Sequence, residues 1–114
     1  MRRSRCEIKL LRMLRKSFPK LRMVPNDRKL LDGYEIDISI PGLKLAIEWN
    51  GPLHRKPIYG DATLARIQRN DAAKSKLAQE RGIELVVIED LKSTPEFVRV
   101  AANRLRRMIR SRLD

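Results

Sequence analysis

The sequence predicts an α/β fold, one mixed sheet of about four strands flanked by helices in the order α-β-β-β-α-β-α. Three observations predict it. Two stretches, Gly33 to Ile40 and Leu43 to Trp49, alternate apolar and polar residues on either side of Pro41-Gly42. Such alternation marks half-buried strands, and Pro-Gly marks the turn between them. An apolar run from Ile83 to Ile88, broken only by Glu84, follows a helix-length segment ending at Gly82. Strand, helix, strand in that order favours a last strand that is parallel to Leu43–Trp49 and buried. Apolar residues also recur at helical spacing near both ends, as Ile8, Leu11 and Leu14, and as Phe97, Val100, Ala101, Leu105, Met108 and Ile109.

Each element has local signals. Residues 4–17 form the first helix, with Ser4 as cap, Glu7 at capping-box spacing and Pro19 beyond its end. Leu21 to Val24 reads as a short strand stopped by Pro25-Asn26-Asp27. In the hairpin, Ile36, Ile38 and Ile40 face one way and Glu35, Asp37 and Ser39 the other. Leu43, Leu45, Ile47 and Trp49 share a face opposite Lys44, Ala46 and Glu48. Asn50 to Asp61 carries Gly51, Pro52, Pro57 and Gly60 and is a loop. Ala62 to Arg81 is a helix with Gly82 at its C′ position. Thr94 caps the last helix, and Pro95 takes its first position. With no repeat, low-complexity tract or linker, residues 1–114 read as a single domain, of a size that would also suit the catalytic piece of a longer protein.

Lys and Arg number 26 against 14 Asp and Glu, a net charge of +12. Charge of that density implies a polyanionic partner, nucleic acid before all others, because Lys and Arg displace the counterions of phosphate backbones. The basic residues gather between Arg2 and Arg22 and between Arg99 and Arg112, around an acidic centre from Asp32 to Glu48. A cationic frame around an anionic centre suits a nuclease, in which cations hold phosphate and carboxylates hold a metal. The central carboxylates oppose the rival, an anionic membrane surface. No apolar run approaches the ~20 residues of a membrane span. The basic start runs into Cys6-Glu7-Ile8-Lys9 instead of a signal-peptide core. The single cysteine, Cys6, excludes an internal disulfide and a cysteine-rich zinc site. The expected setting is intracellular: cytoplasm, nucleoid or another DNA-containing compartment.

If Pro41-Gly42 is a two-residue loop, Ile40 pairs with Leu43, Asp37 lies opposite Ala46 and Glu35 opposite Glu48. Asp37 and Glu48 are then diagonal neighbours, roughly 7–8 Å apart, able to converge on one cation. The like charges of Glu35 and Glu48 call for compensation, and Mg²⁺ or Mn²⁺ suits such oxygen ligands. The same carboxylates also fit the wet face of an amphipathic hairpin. His54, the one histidine, sits in the loop leaving the carboxylate strand, where a near-neutral pKa suits a general base. Asp71 and Lys74 share one side of the next helix with Ala78. They are placed to orient a histidine and to meet phosphate, or they form an ordinary surface pair.

The run Tyr34-Glu35-Ile36-Asp37-Ile38-Ser39-Ile40-Pro41-Gly42-Leu43-Lys44-Leu45-Ala46-Ile47-Glu48-Trp49-Asn50-Gly51, followed by His54, resembles the core of PD-(D/E)xK nucleases. So does the stretch from Asn70 to Ile88. The branch it looks most like is the very-short-patch-repair endonucleases and the related homing endonucleases, whose site is summarised as E-D-x-H-D. The resemblance covers about residues 4–90. It implies a restriction-endonuclease-like fold and Mg²⁺- or Mn²⁺-dependent hydrolysis of phosphodiester bonds, with double-stranded DNA as partner. It also implies a catalytic set: Glu7 from the first helix, Asp37 and Glu48 on the metal, His54 as general base and Asp71 as its partner. Arg2, Arg3, Arg5 and Lys74 would contact nucleic acid.

The departures are informative. Asn50 stands where the motif places lysine, so lysine is either absent, with His54 as base, or supplied from the helix by Lys74. The repair enzymes' structural zinc and aromatic wedges have no counterpart, which favours a homing-type or other sequence-cutting role over mismatch repair. One site cuts one strand, so a double-strand break requires a homodimer or two binding events. A non-catalytic RNA- or DNA-binding module with the same fold is the alternative from another class. A structural nucleic-acid-associated protein is a third.

Overall fold

A computed structural model describes residues 5–51, 57–90 and 94–113. Its elements are α1 (Arg5–Ser17), β1 (Val24–Leu31), β2 (Tyr34–Ile40), a 3₁₀ turn (Pro41–Leu43), β3 (Leu45–Asn50), α2 (Asp61–Glu80), β4 (Glu84–Glu89) and α3 (Pro95–Leu113). The sheet runs β1-β2-β3-β4, antiparallel up to β3 and parallel between β3 and β4. This is the predicted mixed sheet and element order.

α1 and α3 cover one face of the sheet. Leu10, Leu11 and Leu14 pack with Ile38, Ile40, Leu45, Ile47, Val86 and Ile88 of the strands and with Val98, Leu105 and Ile109 of α3. Burying each such side chain stabilises the fold by about 1.5–3 kcal/mol. Trp49 belongs to this core, with its ring edge-on to Phe97 at 5.8 Å. Two predicted core residues are exposed instead: Ile8 at 37% and Val100 at 63%. Each helix is rotated so that Leu10 of α1, and Val98 and Ala102 of α3, take the inward positions. The α3 cap forms as predicted, with the Phe97 amide donating to Thr94 Oγ1 at 3.2 Å. The Ser4 cap lies outside the described residues.

α2 packs on the other face through Ala78, against Ala46 and alongside Leu31, Ile36 and Ile83. It closes as the sequence predicts. Gly82 has φ +69°, its N–H bonds Gln79 O at 3.2 Å, and the Ile83 N–H bonds Ala78 O at 2.8 Å. That pair is the Schellman arrangement, which needs a left-handed residue at C′.

Three expectations are corrected. First, β1 runs straight through Pro25-Asn26-Asp27, which the sequence reads as a stop. β1 is a sheet edge, where proline is tolerated, and its register is irregular between Asp27 and Leu31. Buried Asp27 ties the strand down by accepting hydrogen bonds from Ser39 Oγ at 2.6 Å and the Lys29 N–H at 2.9 Å. Burial alone would raise the Asp27 pKa, but the bonds from Ser39, Lys29 and Leu30 outweigh it and hold it below 3.8. Its stabilising contribution is therefore present above that range and lost as pH falls through it. Ser39→Ala is expected to cost about 1–3 kcal/mol, read at neutral pH as a lower denaturant midpoint with unchanged slope.

Second, the hairpin loop is longer than two residues. Pro41–Leu43 forms a 3₁₀ turn, closed by Lys44 at φ +51° with its N–H on Pro41 O at 3.1 Å. Ile40 therefore pairs with Leu45, Ser39 with Ala46 and Ile38 with Ile47. An even shift of partner preserves the alternation, because the strand period is two: Ile38, Ile40, Leu45 and Ile47 stay together on the α1–α3 face, while Ile36, toward the start of β2, packs in the α2 cluster.

Third, β4 is parallel as expected but not fully buried. Val86 and Ile88 enter the core, while Glu84, Val87 and Glu89 are exposed because β4 is the other sheet edge. Among the described residues, no helix is long and apolar enough to cross a membrane.

Candidate active site

The corrected register improves the convergence of the two key carboxylates. One step beyond Ile38–Ile47, it sets Asp37 across from Glu48 instead of Ala46. Asp37 Oδ2 accepts the Trp49 N–H at 2.6 Å, which holds its carboxylate against β3. Glu35, expected opposite Glu48, turns to Arg28 of β1 at 3.6 Å. The like-charge crowding is thus between Asp37 and Glu48.

Glu48 is 6% exposed, because β3 is an interior strand with α2 above it. Lys74, 8% exposed, reaches down from α2 and places Nζ 3.3 Å from Glu48 Oε1. Burial pushes the Glu48 pKa up, Asp37 pushes it further, Lys74 opposes and Asp71 adds a smaller rise, bringing it to about 7. Glu48 therefore exchanges its proton near neutrality, and both Asp37 and Asp71 act on it.

Glu48, Lys74 and Asp71 open on a cleft of about 410 Å³ between α2 and the β3–β4 edge. Glu48 and Asn50 line it from β3, and Gln68, Asp71, Lys74 and Ser75 line it from α2. Leu85, Val87 and Glu89 line it from β4. The exposed half of β4 is one wall of this cleft.

Glu48, Asp71 and Lys74 share this cleft, and the charge of Asp37 acts on Glu48 from β2. The lysine charge comes from α2, while Asn50 occupies the strand position where lysine was expected. Glu7 lies in the first turn of α1. Its charge acts with Asp90 on Cys6, whose thiol is raised first by burial and then by Asp90. It is not among the charges that weigh most on Glu48. Arg5 is exposed at the start of α1, on which Lys9, Arg12 and Lys16 are exposed as well. His54, Arg2 and Arg3 lie outside the described residues. Part of the terminal basic charge is structural. Arg106 Nε donates to Ser17 Oγ at 2.7 Å, and Arg112 pairs with Glu84 and donates to Leu43 O at 2.8 Å.

Asn50 and Gln68 are cleft residues that the sequence reading did not place in the site. Their signal was spacing: Asn50 is two residues from Glu48 on a strand, and Gln68 three from Asp71 on a helix. Asn50 is 8% exposed, and its Oδ1 has no hydrogen-bond partner among the described residues. A buried acceptor left so costs about 1–3 kcal/mol unless a ligand, ion or water completes it.

Among the described residues, no three His, Cys, Asp or Glu side chains form a group that could hold a metal ion. Mg²⁺ does not require three, since it is commonly held by one or two carboxylates, with water and substrate phosphate completing the shell. Asp37, Glu48 and the uncompleted Asn50 oxygen fit that chemistry. Comparison with known proteins finds no matching family model, no matching curated protein and no matching solved structure. The nuclease resemblance therefore rests on the hairpin and α2 residues themselves.

Proposed function

We propose that the chain is a metal-dependent endonuclease, hydrolysing phosphodiester bonds of DNA in a homing-type or nicking reaction with Mg²⁺ or Mn²⁺. One observation carries the reading: Glu48, with the Asp37 charge acting on it, meets a buried Lys74 at an open cleft in a chain of charge +12. A buried ion pair is a poor device for stability, and strongly shifted carboxyls concentrate at reactive sites.

Asp37 and Glu48 would hold the metal, which when bound supplies polarisation of the phosphate and charge for the departing oxygen. Lys74 favours the ionised form of Glu48, the form a cation needs, and presents an ammonium where phosphate enters. Asp37 is held in place by the Trp49 N–H. Asp71, on the cleft wall, is the proposed partner of the imidazole N–H. His54 is the proposed proton acceptor for the attacking water, and Glu7 is proposed to assist from α1. The exposed bases of α1 would supply phosphate contacts, affinity more than sequence reading. A second copy, or a second binding event, would cut the second strand.

Metal binding tests this first. At mildly alkaline pH, Mg²⁺ at tenfold its dissociation constant should stabilise the protein by about 1.4 kcal/mol, several degrees in Tm. Asp37→Asn should lose the shift while keeping an oxygen for the Trp49 N–H. Absence of any shift with Mg²⁺ or Mn²⁺, alongside tight salt-sensitive DNA binding, would favour the non-catalytic binding module.

A further inference from the structure

We infer that the other flank of α2 carries a second nucleic-acid contact, a cradle for one unpaired nucleotide with its base on Tyr34 and its phosphates on Arg66 and Arg69. The inference rests on the nucleic-acid reading above and adds the form of the substrate. A hollow of about 580 Å³ lies between the start of β2 and α2, lined by Tyr34, Arg66, Ile67, Arg69, Asn70 and Ala73. It shares no residue with the carboxylate cleft. Arg66, Asn70 and Ala73 recur at spacings of four and three, which aligns them along one side of the helix.

Tyr34 is half-buried and packs against the cluster of Leu31, Ile36 and Ala78, so its ring is held before any ligand arrives. A fixed ring loses little entropy when a base stacks on it. Arg66, Arg69 and Asn70 are exposed beside it. Guanidinium groups bind phosphate in a planar, two-pronged way, and the Asn70 amide offers both a donor and an acceptor to a base edge. No carboxylate lines this hollow, whereas the adjoining one contains Asp32 and Glu35. A duplex hides its base faces and would engage only the arginines. An aromatic ring in the same hollow offers a stacking surface to an unpaired base, which a duplex does not present. The favoured substrate is therefore nucleic acid with a single-stranded segment next to the carboxylate cleft.

The test is fluorescence anisotropy in chelator, so that cleavage plays no part, with a labelled single-stranded DNA oligonucleotide and its duplex. Tyr34→Leu, which keeps apolar packing, should weaken single-strand binding about tenfold and change duplex binding less than about twofold. Tyr34→Phe should bind as the wild type does. Arg66→Gln with Arg69→Gln, both at exposed positions where folding is not threatened, should weaken single-strand binding and lower its salt slope by about one to two. Unchanged single-strand affinity in Tyr34→Leu, or an equal loss on both forms, overturns the cradle alone. Wild-type protein that binds neither form overturns the nucleic-acid reading along with it.

Discussion

In chelator, the wild-type protein is expected to lose stability as pH rises from about 4.5 to about 7, by roughly 3 kcal/mol attributable to Glu48. The sign follows from proton counting. The unfolded chain releases the Glu48 proton near 4.5, while the folded chain keeps it to about 7. Between those values the native state binds the extra proton, so its advantage is complete below the window, shrinks through it and is flat above it. Asp27 titrates with the opposite sign and at lower pH, because its pKa is depressed. The difference between wild type and Glu48→Gln therefore isolates Glu48. Denaturant unfolding at a series of pH values should show the decline in wild type and its absence in the variant. Parallel curves would mean that Glu48 is not the buried, proton-retaining carboxyl described here.

Lys74→Met is expected to lower the DNA cleavage rate by about 10²- to 10³-fold, the range for removing one preorganised charge from a reacting centre. Methionine fills similar space without the ammonium. Glu48, then facing Asp37 and Asp71 without the Lys74 ammonium, should keep its proton to a pH above the wild-type value of about 7. The two readouts separate a site residue from a merely structural one. A packing role alone would shift stability at every pH and leave the cleavage rate per folded molecule unchanged. Wild-type cleavage by Lys74→Met would remove the lysine from the site.

What could be read from the sequence depended on whether a residue's role was local. The hairpin faces were legible because alternation survives any even error in register, which is why Asp37 and Glu48 were found with the wrong neighbours. The turn was not, since Pro41-Gly42 suits a tight hairpin and the start of a 3₁₀ turn equally well. β1 was illegible because what holds it is a tertiary bond, Ser39 Oγ to Asp27, formed across the sheet. The half-exposure of β4 follows from its edge position, a property of topology and not of Ile83–Ile88. Lys74 was ambiguous for the same reason. Three residues after Asp71 it looks like half of a surface pair, and only the docking of α2 over β3 buries it on Glu48. The α2 stop was legible in full, because a glycine at C′ answers a local backbone demand.

The most direct measurement is cleavage of supercoiled plasmid by purified wild-type protein with Mg²⁺ and with chelator, beside Asp37→Asn. Nicking or linearisation that requires the metal and disappears in the folded variant is the predicted result. Plasmid left intact by wild-type protein in Mg²⁺ and in Mn²⁺, under conditions where the protein is folded and bound to DNA, would contradict the proposed chemistry of Asp37, Glu48 and Lys74.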